Sequence, residues 1–136
     1  MDYNAIRDQL IQHEGLKLKP YKDTVGKLTI GVGRNLTDKG ISRIEALDLL
    51  ENDITEVMRQ LDKALPWWKS QSEMRKRALI DLCFNMGIGT LLTFKNTLAA
   101  WQKGDYQAAG RGLEQSKWFT QVGYRGPIIV QMVKLG

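Results

Sequence analysis

The chain has 136 residues with 20 Lys and Arg against 15 Asp and Glu, a formal charge of +5, so it suits one compact core, is too short for two ordinary domains, and attracts anionic partners at low salt. Its 43% hydrophobic content argues against disorder, and its single cysteine, Cys83, excludes an internal disulfide framework and fits folding in a reducing compartment. The N-terminus, Met-Asp-Tyr-Asn-Ala-Ile-Arg-Asp, has neither a basic n-region nor a long apolar run, and no stretch reads as a bilayer span; no signal peptide and no stable membrane insertion are expected.

In chain order, Ile6, Leu10 and Ile11 stand at helical spacing over residues 3–13, and Glu14, four residues after Leu10, falls on or near the same face at the helix end. A carboxyl group there is expected to be poorly solvated. Asp23 belongs instead to Lys22-Asp23-Thr24-Val25-Gly26, whose polar residues and glycine read as a turn open to water. A shielded and a solvated carboxyl on either side of a short reversal have the asymmetry that general acid and general base roles require.

In residues 27–33, Leu28, Ile30 and Val32 share one face of a strand and Lys27, Thr29, Gly31 and Gly33 the other. Thr29 is therefore expected to point away from the core, on a flat surface that a sugar ring could approach. The plainer alternative is that the glycines allow a twist or bulge and Thr29 is an ordinary strand residue. Residues 34–40 form a polar loop with room for a third short strand, in which Arg34 either contacts substrate or, as we favour, pairs with an acid on the next helix.

Ser42 and Glu45 form a capping-box pattern. Leu47, Leu50, Ile54, Val57 and Leu61 continue it as one helix of about 23 residues, roughly 35 Å long, until Pro66 forbids continuation. Trp67 and Trp68 offer either a sugar-stacking platform or a cap on the core. A second capping pattern, Ser70 to Glu73, opens a helix with Met74, Ala78, Leu79, Leu82, Cys83 and Met86 on one stripe, stopped by Gly87; Cys83 reads there as a small buried residue. Thr90 is read as the cap of the next helix, with Leu91, Phe94, Leu98 and Trp101 inward and Gly104 at its end. Asp105 caps another with Ala108, Ala109 and Leu113 inward, weakened at Gly110 and Gly112 by about 1 kcal/mol each relative to alanine. Trp118 and Phe119 begin a short segment, and Pro127 fits the first turn of a final helix. The basic residues are dispersed, as on a solvated surface.

The spacing Glu14, eight residues, Asp23, five residues, Thr29, inside His-Glu-Gly-Leu and Thr-Ile-Gly-Val-Gly, resembles the catalytic triad of the bacteriophage lysozymes, the endolysin family of muramidases. The resemblance continues through residues 77–87 (Arg-Ala-Leu-Ile-Asp-Leu-Cys-Phe-Asn-Met-Gly), 94–98 (Phe-Lys-Asn-Thr-Leu) and 116–118 (Ser-Lys-Trp), and so covers nearly the whole chain. It implies an α+β, mainly helical, lysozyme-like fold. A small antiparallel sheet lobe at about 15–40 would be joined by a long helix at about 42–65 to a helical lobe at about 66–136 that includes the N-terminal helix, all within one catalytic domain, 1–136. It also implies hydrolysis of the β-1,4 bond between N-acetylmuramic acid and N-acetylglucosamine with inversion. Glu14 would protonate the leaving oxygen, and Asp23 with Thr29 would activate a water on the opposite ring face.

The same resemblance suggests substrate contacts from Phe84, Asn85 and Thr97, beside Gly31 and Arg34 on the strand, and an ion pair between Arg125 and Glu14. Each has a plain alternative: Phe84 as core, Asn85 and Thr97 as backbone partners. The chain departs from the family pattern at Gly126-Pro127-Ile128-Ile129-Val130, where relatives commonly carry more basic residues. No cofactor and no metal are expected. The expected partner of a monomer is peptidoglycan, reached from the host cytoplasm with the help of a separate membrane-permeabilising protein. Three rivals carry less. A basic nucleic-acid-binding domain lacks a recognition-helix motif, and its carboxylates would repel phosphate. A Cys-His peptidase would need Cys83 exposed near His13, the only histidine. An inactive sugar-binding relative would have little reason to retain Glu, Asp and Thr together.

Overall fold

Asp2 accepts the Ala5 amide at 3.1 Å and thereby starts α1, Tyr3–Glu14, in the computed structural model, which describes residues 1–136. Gly15, at φ +79°, closes the helix by donating to the Ile11 carbonyl. The chain divides into two compact units, Met1–Asp48 and Leu49–Gly136, and α1 belongs to the first. None of its residues is buried, so the expected inward face is only partly realised: Ile6 and Ile11 are half-buried and Leu10 is exposed.

That sheet has strands β1 (Lys17–Lys22), β2 (Leu28–Gly31) and β3 (Arg34–Asn35), antiparallel in the order β1-β2-β3. Its register sets Tyr21 opposite Thr29 and Lys22 opposite Leu28, then Thr29 opposite Asn35 and Ile30 opposite Arg34. The register of β1 against β2 shifts between Lys17 and Tyr21, a stretch that includes Pro20, which has no amide to give the ladder. The two faces of β2 are reversed from the sequence expectation. Thr29 is 3% exposed and Leu28 41%. Cross-strand partners share a face, so Thr29, on the central strand, is flanked by Tyr21 and Asn35, whereas Leu28 has a lysine of the edge strand beside it.

Helix α2, Arg43–Ala64, runs 22 residues, about 33 Å at 1.5 Å per residue. The capping box forms as read: the Glu45 amide donates to Ser42 Oγ at 3.1 Å and the Ser42 amide to Glu45 Oε1 at 2.9 Å. Only Val57 and Leu61 of its apolar stripe are buried.

In the second unit, Pro66–Ser70 forms a short 3₁₀ turn in place of the expected loop. Trp68 is buried in it and donates from Nε1 to Asp62 Oδ1 at 2.7 Å, while Trp67 packs half-buried on the same core. This supports the core-capping role over a stacking platform. Helix α3, Glu73–Met86, is capped by Ser72, which accepts the Arg75 amide at 3.2 Å; the expected Ser70 is spent on the Trp67 carbonyl. The single helix expected after Thr90 is two, α4 (Ile88–Leu92) and α5 (Lys95–Gln102), because Thr93 folds its amide and hydroxyl back onto the Thr90 carbonyl. Helix α6, Tyr106–Glu114, is capped by Asp105 as read. Helix α7, Lys117–Gln121, starts at Ser116, and α8, Arg125–Leu135, carries Pro127 in its first turn.

Leu61, Leu79, Leu82, Leu91, Trp101, Leu113, Ile129 and Val133 are the largest aliphatic and aromatic side chains that are fully buried. Ile129 and Val130 are core residues, which explains the apolar run at 126–130. Arg75 ties α3 to α8: Nε donates to the Val133 carbonyl at 2.7 Å and the guanidinium stacks 3.3 Å over the Tyr106 ring.

The two glycines of α6 mark close approaches. A Cβ at Gly110 would lie 2.6 Å from Lys134 Cε on α8, and one at Gly112 would overlap Thr97 Oγ1 on α5. Gly112→Ala is expected to lower the melting temperature although alanine is favoured in a helix by about 1 kcal/mol. Thr97 is buried and its own Cβ would stand 3.3 Å from the new one whatever its rotamer, so overpacking of about 1 to 3 kcal/mol dominates. A higher melting temperature in thermal denaturation would contradict this packing.

Candidate active site

The turn between β1 and β2 is built on Asp23. Its amide donates to the Lys27 carbonyl at 2.9 Å, and its Oδ1 accepts the amides of Val25 at 3.0 Å and Lys27 at 2.8 Å. Gly26, at φ +83°, makes the reversal possible and donates to the Asp23 carbonyl at 3.0 Å. The hydroxyl of Thr29 donates to that same Lys27 carbonyl at 2.9 Å. The backbone of one residue, Lys27, thus joins the second carboxylate, through its N–H, to the threonine, through its carbonyl. Asp23 is half-buried and organises the hairpin, which corrects the expectation of a turn residue open to water. Its Oδ2 stands outside these bonds.

Glu14 is the last residue of α1 and is exposed, so the shielding expected for it is not found in its surroundings. Its carboxylate lies over the β2–β3 turn, where a Cβ built at Gly33 would stand 2.7 Å from Glu14 Oε2. Gly33 did not stand out as a site residue in the sequence. Its only signal there was its pairing with Gly31 on a smooth strand face. Gly31 has φ +69° and open space where a side chain would be, in keeping with a surface that ligand could approach.

Arg34 takes the structural option. Its Nη1 donates to Glu45 Oε1 at 2.8 Å and to the Gly40 carbonyl at 3.3 Å. The guanidinium, followed by the amide and hydroxyl of Ser42, lowers the Glu45 pKa to about 2, and Arg34 is raised in turn. The loop after β3 is closed by Asp38, which meets Lys27 Nζ at 3.3 Å and accepts from Asn35 Nδ2 at 3.0 Å, and by Thr37, whose Oγ1 accepts the Leu28 amide at 2.9 Å.

In the second unit, Phe84 is exposed and lines an open pocket of about 390 Å³ with Leu50, Ile54, Ile80, Arg77 and Arg125, so it is not a core residue. Asn85 accepts from Trp118 Nε1 at 2.8 Å. Thr97 is buried at the base of a pocket of about 520 Å³ bounded by Phe94, Lys95, Asn96 and Gln115. The carboxylate that Arg125 meets is Asp81, with Nε 3.1 Å from Oδ1, and not the expected Glu14. One turn of helix separates Asp81 from the Phe84–Asn85 pair on α3, and no sequence spacing ties it to Arg125. Cys83 is buried 3.8 Å from Gln60 Oε1, and burial pushes its thiol pKa up. It is therefore a poor nucleophile, and the peptidase alternative loses its key residue.

A mainly helical α+β chain with one carboxylate at a helix end and another in a hydrogen-bonded β-turn has the layout of a lysozyme-type glycoside hydrolase. Residues 11–131 match the phage lysozyme family, and the chain belongs to that family. It is 28% identical over 97% of its length to the pre-baseplate central spike protein Gp5 of Enterobacteria phage T4, of which it spans 28%. It is 25% identical to probable T4-type lysozyme 1 of Dictyostelium discoideum, over 98% of this chain and 95% of that one. With the SAR-endolysin of Escherichia phage Mu it shares 29% identity over 88% of its own length and 68% of the relative's.

The Arg34–Glu45 pair has a pH signature. Because the folded-state pKa of Glu45 is lowered, its contribution to stability is full above the usual carboxylate range, near about 4.3, and is lost as pH falls toward about 2. The melting-temperature gap between the parent and Glu45→Gln is expected to be widest at neutral pH and to close near pH 2 in a thermal-denaturation series. A gap that does not change with pH would contradict the assignment.

Proposed function

We propose that this chain is an endolysin muramidase that hydrolyses the β-1,4 bond between N-acetylmuramic acid and N-acetylglucosamine in peptidoglycan with inversion. The observation that carries this reading is the division of labour in the first unit: Asp23 and Thr29 share one hydrogen-bonded turn, and Glu14 stands outside it at a helix end. Glu14 gives its proton to the glycosidic oxygen as that bond breaks. The Thr29 hydroxyl has spent its own proton on the Lys27 carbonyl, so toward a water it acts as an acceptor. Asp23 Oδ2, outside the turn's bonds, accepts the proton that the water loses as its oxygen joins the anomeric carbon. An inverting pair leaves room for such a water, with the carboxyl groups about 6.5 to 9.5 Å apart.

For the glycan, open backbone at Gly31 lets a ring approach, while Arg34 shapes the neighbouring loop through Glu45. Phe84 offers an exposed ring, Asn85 keeps its amide N–H groups beyond the Trp118 bond, and Thr97 presents its hydroxyl to a polar pocket. The 136 residues act as one catalytic domain and as a monomer, on peptidoglycan and not on nucleic acid. Lysis follows once a separate membrane-permeabilising protein admits the enzyme from the host cytoplasm to the wall; no helix of the chain is long and apolar enough to cross a membrane.

Glu14→Gln is expected to lose lysis of outer-membrane-stripped bacteria by about 10² to 10⁴ in rate, with an unchanged melting temperature, since the amide keeps the shape but has no proton to give. A variant that clears cells at the parent rate would remove Glu14 from the mechanism.

Two replacements of Asp23 separate chemistry from turn formation. Asp23→Asn keeps an oxygen for the Val25 and Lys27 amides and is expected to lose lysis with little change in melting temperature. Asp23→Ala strands both amides and is expected to lose lysis and stability together. Turbidity and calorimetry check both, and a lytically competent Asn variant would contradict the role of Asp23.

A further inference from the structure

The first unit contains five glycines at positive φ: Gly15, Gly26, Gly31, Gly33 and Gly40. Backbone conformation explains glycine at each of them. At four, a Cβ would meet nothing within 4 Å; at Gly33 it would meet Glu14 Oε2 at 2.7 Å, Cδ at 3.1 Å and Cγ at 3.3 Å. The carboxyl end of Glu14 therefore fills the volume that any side chain at position 33 would need. The ion pairs of this unit are Arg7–Asp8, Lys27–Asp38 and Arg34–Glu45, and none of them uses Glu14. What locates the carboxylate is its own place at the end of α1, stopped by Gly15, and the backbone of the β2–β3 turn beneath it.

We propose that Gly33 is a positioning residue for Glu14: the missing side chain at position 33 is the seat of the acid's carboxyl group. The proposal rests on the reading of Glu14 as the general acid. The atoms in the way are the far end of a flexible side chain, so a Cβ at position 33 moves Glu14 and leaves the fold in place. Its effect on stability is that of placing alanine at positive φ, and its effect on catalysis is that of moving the proton donor. Displacements of about 1 Å at a reacting group cost rate steeply, on the order of 10²-fold.

The test compares Gly33→Ala with Gly40→Ala, which imposes nearly the same backbone strain, φ +64° against +66°, with open space around its Cβ. Solubilised peptidoglycan strands report kcat and KM, thermal denaturation reports stability, and the ¹³C signal of the Glu14 carboxyl carbon, assigned by its absence in Glu14→Gln, reports the seat itself. Expected are equal losses of melting temperature in the two variants, and in Gly33→Ala alone a moved Glu14 signal and a fall in kcat of about tenfold or more with little change in KM. An unmoved signal, or a moved signal with kcat equal to that of Gly40→Ala while Glu14→Gln is inactive, would overturn the proposal. A moved signal in Gly33→Ala together with an active Glu14→Gln would sink the general-acid reading and leave the steric seat standing.

Discussion

The backbone of Lys27 is the joint on which the first unit depends. Its N–H holds the Asp23 carboxylate, and its carbonyl receives both the Asp23 amide and the Thr29 hydroxyl. The Asp23 amide bond ties the turn backbone to backbone, and the two side-chain bonds to Lys27 hold each rotamer, so the two groups keep their relation as long as the hairpin exists. They also fix the polarity of each group. One oxygen of Asp23 is committed to structure and the other is left over, while Thr29 is turned into an acceptor. In the proposed mechanism, folding of the turn and arrangement of the water-activating pair are one event, and Asp23 carries a structural and a chemical part at once.

Glu14 is held in another way. It belongs to a helix end and rests against backbone at Gly33, with contact in place of charge. A proton donor must change its ionisation during each turnover, and a partner that strongly prefers its anion would oppose that change. Steric placement carries no such preference. Arg125, the cation expected to pair with Glu14, meets Asp81 instead, and Arg34 pairs with Glu45 on the next helix as read.

What could be read from sequence was what depends on neighbours along the chain. The Ser42–Glu45 box and the Asp105 cap involve residues three apart and formed as read. The long helix followed from period and punctuation, room for a third strand from the polar loop, and the α+β class from the family resemblance. Glu14, Asp23 and Thr29 stood out through spacing and family resemblance, and the hairpin brings the last two together. The misreadings arose where the third dimension decides. The faces of β2 were assigned by alternation alone, but burial of Thr29 comes from its cross-strand neighbours Tyr21 and Asn35. Helix α4 stops because Thr93 bonds back to Thr90, a local competition that apolar periodicity conceals. Gly110 and Gly112 looked like defects of α6, and it is their contacts with Lys134 and Thr97 that explain them. The partner of Arg125 and the seat at Gly33 are long-range contacts with no linear signature.

If Asp23 and Thr29 hold a water and no residue of the chain attacks the sugar, each cleavage must invert the anomeric centre. Time-resolved proton NMR of solubilised glycan strands with the parent enzyme reads this from the anomeric proton of the newly released reducing end, before mutarotation mixes the forms. Cleavage of a β-1,4 bond by this arrangement releases the α-anomer first, with the β-anomer growing in later at the uncatalysed rate. Release of the β-anomer first would mean retention, and would contradict the water-activating role of the Asp23–Lys27–Thr29 turn.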